Sequence, residues 1–280
     1  MGNKKIEQRE KVVNTALKRY KEGLSNEEER KILIEAMKRY RDEVDKSGKG
    51  IYYNALVLGY FADEPQTISQ MAARLLCTRR TVFKYLASGK QSLSPHIFGI
   101  GGIDLGAQDE MSDETEERKR QYKNTKQLLE NYRTFKKFTQ GIDLEALPTD
   151  HTPSEILEEA DSFILPDSEL TPEIIRQSQA RTGCILDYID NVIREYRSGC
   201  GRAGTEDKRR RYRIIAAYYF DPEALSIEQL MEREQLKERA VYKDIQKATG
   251  QLAGRIYSPR QHDPSKKGGE EDDILSNCAI

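Results

Sequence analysis

Shifted by 159 positions, this chain aligns with itself without a gap. Tyr53 meets Tyr212, and Tyr60-Phe61 meets Tyr219-Phe220. Ile68 and Gln70 meet Ile227 and Gln229; Arg74, Arg80, Val82 and Lys84 meet Arg233, Arg239, Val241 and Lys243; Leu93 and Ile97 meet Leu252 and Ile256. A self-match of this kind requires one supersecondary unit to be built twice, so whatever the first stretch folds into constrains the second.

Residues 60–86, YFADEPQTISQMAARLLCTRRTVFKYL, read as helix, turn, helix. Ala72 is a small residue where two helices can approach, and Leu75 lies three positions on along the same face. Val82 and Leu86, spaced i, i+4, supply the buried side of the second helix. Its other side carries Thr78, Arg79, Arg80, Thr81 and Lys84, side chains suited to phosphates and base edges. Residues 65–103 contain no Asp or Glu, in a chain of which 33% is charged, so Arg74, Arg79, Arg80, Lys84 and Lys90 act without acidic neighbours in sequence. The turn, where Gly is usual because it tolerates positive φ, holds Leu76 followed by Cys77.

The second copy differs in chemistry. Met231 stands where the first has Ala72, and Glu234 where it has Leu75. Its helix-start segment mixes Glu238 with Arg239 and Lys243. The strongest basic feature lies upstream, at Lys208, Arg209, Arg210, Arg211 and Arg213. Arg209 and Arg210 are thus candidates for phosphates, and Arg239, Tyr242 and Lys243 for bases; contact with another protein is the alternative for this copy.

The rest of the chain has helical periodicity. Residues 4–23 carry Val12, Val13, Ala16, Leu17 and Tyr20 at 3–4 spacing, and Gly23 ends the pattern. Ser25 and Glu28 have capping-box spacing before Ile32, Leu33, Ala36, Met37 and Tyr40. Leu93, Ile97 and Phe98 are expected to close the core behind the first copy. The glycine cluster at 99–102 has no following Lys-Ser/Thr and reads as a loop rather than a phosphate cradle. One long helix is expected over 113–139, striped by Tyr122, Thr125, Leu128, Leu129, Tyr132 and Phe135. An acidic, Pro-containing insertion fills 141–170. Thr171-Pro172 then opens a helix to about 197, and residues 199–204 read as a flexible joint.

The expected fold is all-α, with two helix-turn-helix modules joined by long helices. Its expected parts are an N-terminal hairpin (1–47), a first module (50–104), a helical middle region (112–199), a second module (205–260) and a disordered tail (261–280).

Net charge is −1, so composition alone does not announce nucleic acid; the charge is patchy, and patches set the local field. Cys77, Cys184, Cys200 and Cys278 are far apart, as are His96, His151 and His262. Without CxxC or HxxxH spacing no metal or other cofactor is expected, and free thiols fit a cytoplasmic location. The sequence holds no long apolar run, which excludes a membrane span. No His has Arg three positions on, as a tyrosine recombinase would need, and there is no Walker loop, so an enzyme is not expected.

Ile68…Ala72…Arg80-Thr81-Val82-Phe83-Lys84 resembles the helix-turn-helix of the fourth region of bacterial sigma factors and related phage regulators. Residues 122–136, YKNTKQLLENYRTFK, are similar to a segment of the ArpU/RinA-type phage late-gene regulators. The resemblance implies transcriptional control of phage or mobile-element genes through double-stranded DNA, with RNA polymerase as a further partner. A homo-oligomer through the middle helices would let the chain meet a palindrome. The competing expectation is a helical adaptor that binds only protein.

Overall fold

The computed structural model describes residues 2–47, 50–105, 113–141, 170–202 and 204–257. The fold is all-α: every regular element among these residues is helical. The acidic insertion falls mostly, and the tail beyond 260 wholly, outside the described residues.

Helix α1 (Gly2–Lys21) ends before Gly23, whose φ of +72° a side chain would resist. Helix α2 (Glu27–Ser47) starts one residue later than the Ser25 cap would place it. Asn26 is the cap, its Oδ1 accepting from the Glu29 amide at 2.8 Å, and Glu27, Glu28 and Glu29 sit against the positive end of the helix dipole. Helix α3 (Gly50–Leu56) widens into a π turn, Val57–Phe61, before α4 (Ile68–Arg74) and α5 (Arg79–Phe98). The long helix expected over 113–139 is broken at Asn131 into α6 (Glu114–Glu130) and α7 (Tyr132–Phe138). Helix α8 (Pro172–Arg202) begins at the Thr171-Pro172 signal but runs straight through Gly199 and Gly201, so residues 199–202 of the expected joint are helical; Gly204 has φ +71°. Helix α9 (Glu206–Ile215) also widens into a π turn, Ala216–Phe220, and α10 (Ile227–Glu234) and α11 (Glu238–Tyr257) follow.

The described residues bury two apolar clusters. The first joins Val12, Leu17, Leu33 and Tyr40 of the N-terminal hairpin to Met71, Val82, Leu93, Ile97 and Phe98. The second joins Leu128, Leu129, Tyr132 and Phe135 to Ile185, Ile189, Val192, Val241 and Leu252. Helix α8 belongs to both, with Ile174 in the first and Ile185 onward in the second. At 31 residues it spans about 46 Å at 1.5 Å per residue, enough to serve as the common beam. The core of the middle-helix stripe is packed inside the chain, with Leu128 and Phe135 at 0% exposure.

The glycine cluster is the seam between the clusters rather than a surface loop. Gly99–Gly102 forms a 3-10 turn in which the Ile100 amide donates to Thr182 Oγ1 at 3.1 Å. Gly99 has φ +54°, and a Cβ there would fall 2.1 Å from Thr182 Oγ1. Beside the seam lies a buried polar group. His96 is 1% exposed, its Nε2 3.3 Å from Glu43 Oε2, and its carbonyl accepts from Arg39 at 2.9 Å. Burial pushes the imidazole pKa down, against the pull of Glu43.

Candidate nucleic-acid interface

The first candidate surface begins with a cap. Thr67 and Gln70 form a reciprocal capping box at the start of α4: the Thr67 amide donates to Gln70 Oε1 at 2.8 Å and the Gln70 amide to Thr67 Oγ1 at 3.4 Å. The cap sets the phase of this short helix and turns Met71, at 0% exposure, into the core. Ala72, expected at the helix contact, is only half-buried. It packs against the first apolar cluster. Gly59 of the π turn faces the same place, where a Cβ would lie at ordinary contact distance, 3.7 Å from Met71 Sδ and 3.5 Å from Leu86.

Leu76 then reverses the chain. Its φ is +50°, the conformation a Gly would adopt freely, and its side chain is 93% exposed. The Cys77 amide reaches back to the Ala72 carbonyl at 3.0 Å. Thr78 caps α5, its Oγ1 accepting from the Thr81 amide at 3.2 Å. Val82 and Leu86 are buried as their spacing predicts. Thr78, Arg79, Arg80 and Lys84 are exposed together on the first two turns of α5, with Thr81 half-buried between them. Lys90 lies about three turns beyond Arg79 and on the same side, its ammonium 5.4 Å from the Tyr60 ring centroid. The helix start is also the positive end of the helix dipole, so the field there favours an anion.

The elements of the second stretch recur at the same offset of 159. Its π turn, its helices α10 and α11 and the positive φ of Gln235, +55°, stand at the positions of their counterparts. Ser226 and Gln229 form the matching capping box. The charges are disposed differently. Arg210 is engaged by Asp244 at 2.9 Å and Asp207 at 2.7 Å, Arg211 lies 3.8 Å from Asp244, and Arg213 is shared by Glu234 and Glu206 at 2.8 and 2.9 Å. Of the predicted residues, Arg209 is exposed on α9, while Arg239, Tyr242 and Lys243 are exposed on α11 beside exposed Glu238.

One residue escaped the sequence reading. Phe83 is 57% exposed among Arg79, Arg80 and Lys84, and Tyr242, at the matching position, is 51% exposed. The signal was present: Phe83 stands i+4 from Arg79 and i+3 from Arg80, on the polar side of the Val82–Leu86 helix.

Among the described residues no helix is long and apolar enough to cross a membrane. Comparison with protein-family models, with curated proteins and with solved structures finds no match for this chain.

Proposed function

We propose that this chain is a sequence-specific DNA-binding transcription regulator whose reading head is the start of α5. The observation that carries the proposal is the exposed surface formed by Thr78, Arg79, Arg80 and Lys84 at a capped helix N-terminus, within a stretch, 65–103, that has no Asp or Glu. A helix of this kind fits the major groove, where its first turns meet base edges and its cations meet phosphates. Arg80 pairs with a guanine, and Lys84 and Lys90 hold the backbone. The resemblance to sigma-like phage regulators supports promoter DNA of a mobile element as the target, with RNA polymerase as a further partner.

The second stretch takes a different share of the work. Because Arg210 and Arg213 are already held by carboxylates, this stretch contributes to DNA through Arg209, Arg239, Tyr242 and Lys243 alone, or faces a protein. An adaptor that binds only protein is the competing reading for the whole chain, and it predicts no salt-dependent affinity for DNA.

The deciding experiment is selection of the purified chain on a random duplex pool at two salt concentrations, followed by sequencing. The proposal expects a recovered motif and a steep fall of affinity with salt. Arg80→Ala should cost about 1–3 kcal/mol and relax preference at one base pair, whereas Lys84→Ala should weaken all sequences alike and reduce the salt slope by about 1. No binding at low salt overturns the proposal and leaves the adaptor.

A further inference from the structure

We infer that Phe83 reads the 5-methyl group of a thymine one or two base pairs from the guanine addressed by Arg80. The inference rests on the DNA-binding reading above and adds a specificity determinant to it.

A phenyl ring left 57% exposed forgoes apolar burial that the core behind it supplies to Val82 and Leu86, both buried. Among the exposed large apolar side chains of the described residues, Phe83 is the one set between the helix-start cations Arg79, Arg80 and Lys84. Its place on the helix says what it can meet. Arg79, Arg80, Phe83 and Lys84 occupy positions i, i+1, i+4 and i+5, so they share one side of α5 within its first two turns. If that side enters the major groove, Phe83 faces base edges along with the arginines. Among those edges the thymine methyl is the largest apolar group; cytosine offers only a C5–H at the same place, and the donors and acceptors of the other positions are features a phenyl ring cannot satisfy. The spacing sets the register. Three residues of helix advance about 4.5 Å, against about 3.4 Å for one step of DNA, so Arg80 and Phe83 address base pairs one to two steps apart. Tyr242, exposed at the matching position of α11, carries a hydroxyl and is not confined to a methyl.

The test uses the full chain and the duplex recovered by selection. Each thymine is replaced in turn by deoxyuridine, which removes the methyl and keeps every hydrogen bond. The inference expects an A·T pair within two steps of the conserved guanine. It also expects about a fourfold loss of affinity when that one thymine is demethylated, the equivalent of one buried carbon. Phe83→Ala should bind the thymine and uracil duplexes equally, while Phe83→Leu keeps a reduced preference; because the ring is exposed, neither substitution opens a core cavity. If a motif is recovered but no thymine methyl matters to the wild type, or if Phe83→Ala retains the methyl preference, the inference fails and the DNA-binding reading stands. If no motif is recovered, the reading fails and takes the inference with it.

Discussion

The two stretches that recur at 159 positions share a backbone plan and differ in what they do with their charges. Each has a π turn, a capping box, a left-handed turn residue and a 20-residue final helix, α5 and α11. In the first, residues 65–103 carry no carboxylate and the helix-start cations face outward. In the second, Asp244 is buried beneath Arg210 and Arg211, and Glu234 is held between Arg213 and Arg233. The buried apolar positions and caps specify the plan, so it tolerates either arrangement of charge. Carboxylates that turn arginines inward stabilise the module and remove those arginines from a polyanion's reach. The contrast teaches that counting basic residues misjudges a surface: the denser basic run, at 208–213, is the less available one.

The largest effect that would test the shared plan is expected at Gly89, whose counterpart is Ala248. A Cβ at Gly89 would fall 2.8 Å from the Tyr52 carbonyl oxygen and 2.9 Å from Leu56 Cγ, whereas the second stretch already buries a methyl at Ala248. Gly89→Ala should therefore destabilise by about 2–3 kcal/mol through overpacking. The mirror change, Ala248→Gly, should cost about 1 kcal/mol through helix propensity. Denaturant unfolding of the two variants measures both. A Gly89→Ala chain as stable as the wild type would mean that α3 and α5 are not held as closely as described.

Asp244 tests the difference in charge. Asp244→Asn leaves Arg210 and Arg211 without their shared carboxylate and should lower stability by about 1–2 kcal/mol, a figure reduced because Arg210 is a quarter exposed. The same variant should bind duplex DNA more tightly at low salt, since the released guanidinium can meet a phosphate. Lost stability with no gain in DNA affinity would place α9 away from DNA.

The apolar spacing made much of the fold legible. Val82 with Leu86, the stripe of α6 and α7, and the Thr171-Pro172 start of α8 stand where the pattern puts them, because burial and capping act over a few neighbouring residues. Ala72 is half-buried against the first cluster, on a helix whose cap turns Met71 rather than Ala72 fully into the core. The glycines at 99–102 misled because a buried seam and an exposed loop both call for Gly, and only Thr182, more than eighty positions away, tells them apart. At the candidate interface the exposed α5 residues followed from periodicity. The internal pairing of Arg210 did not, since Asp244 lies 34 positions on. Phe83 was hidden by its residue type, which reads as core until the burial of its neighbours assigns it to the other side.

Smaller still are the turns. Leu76 and Gln235 both hold left-handed φ, and Leu76 is 93% exposed, so its side chain offsets little of that strain. Leu76→Gly should stabilise by about 0.5–1 kcal/mol, the relief of strain outweighing the greater freedom of Gly in the unfolded chain. Gln235→Gly should move stability in the same direction. Opposite signs in thermal melts of the two variants would break the parallel between the turns.

Acid separates the two regions most finely. Burial holds the His96 pKa below its ordinary 6.5 although Glu43 pulls it up, with Arg39 and Lys137 pushing it further down. The unfolded chain therefore takes up the proton first, and stability falls as pH drops from 6.5 toward the folded pKa and levels off below it. Glu234 titrates lower. Burial pushes its carboxyl up, but Arg213 and Arg233 together outweigh burial and hold it below its ordinary 4.5. Its contribution is present above 4.5 and is lost as pH falls through the folded pKa. Unfolding free energy measured from pH 7.5 to 3.5 should show two declines. His96→Gln should remove the one just below 6.5, and Glu234→Gln should flatten the one below 4.5. A single decline that neither substitution alters would show that the stability of both regions in acid is governed by other carboxylates.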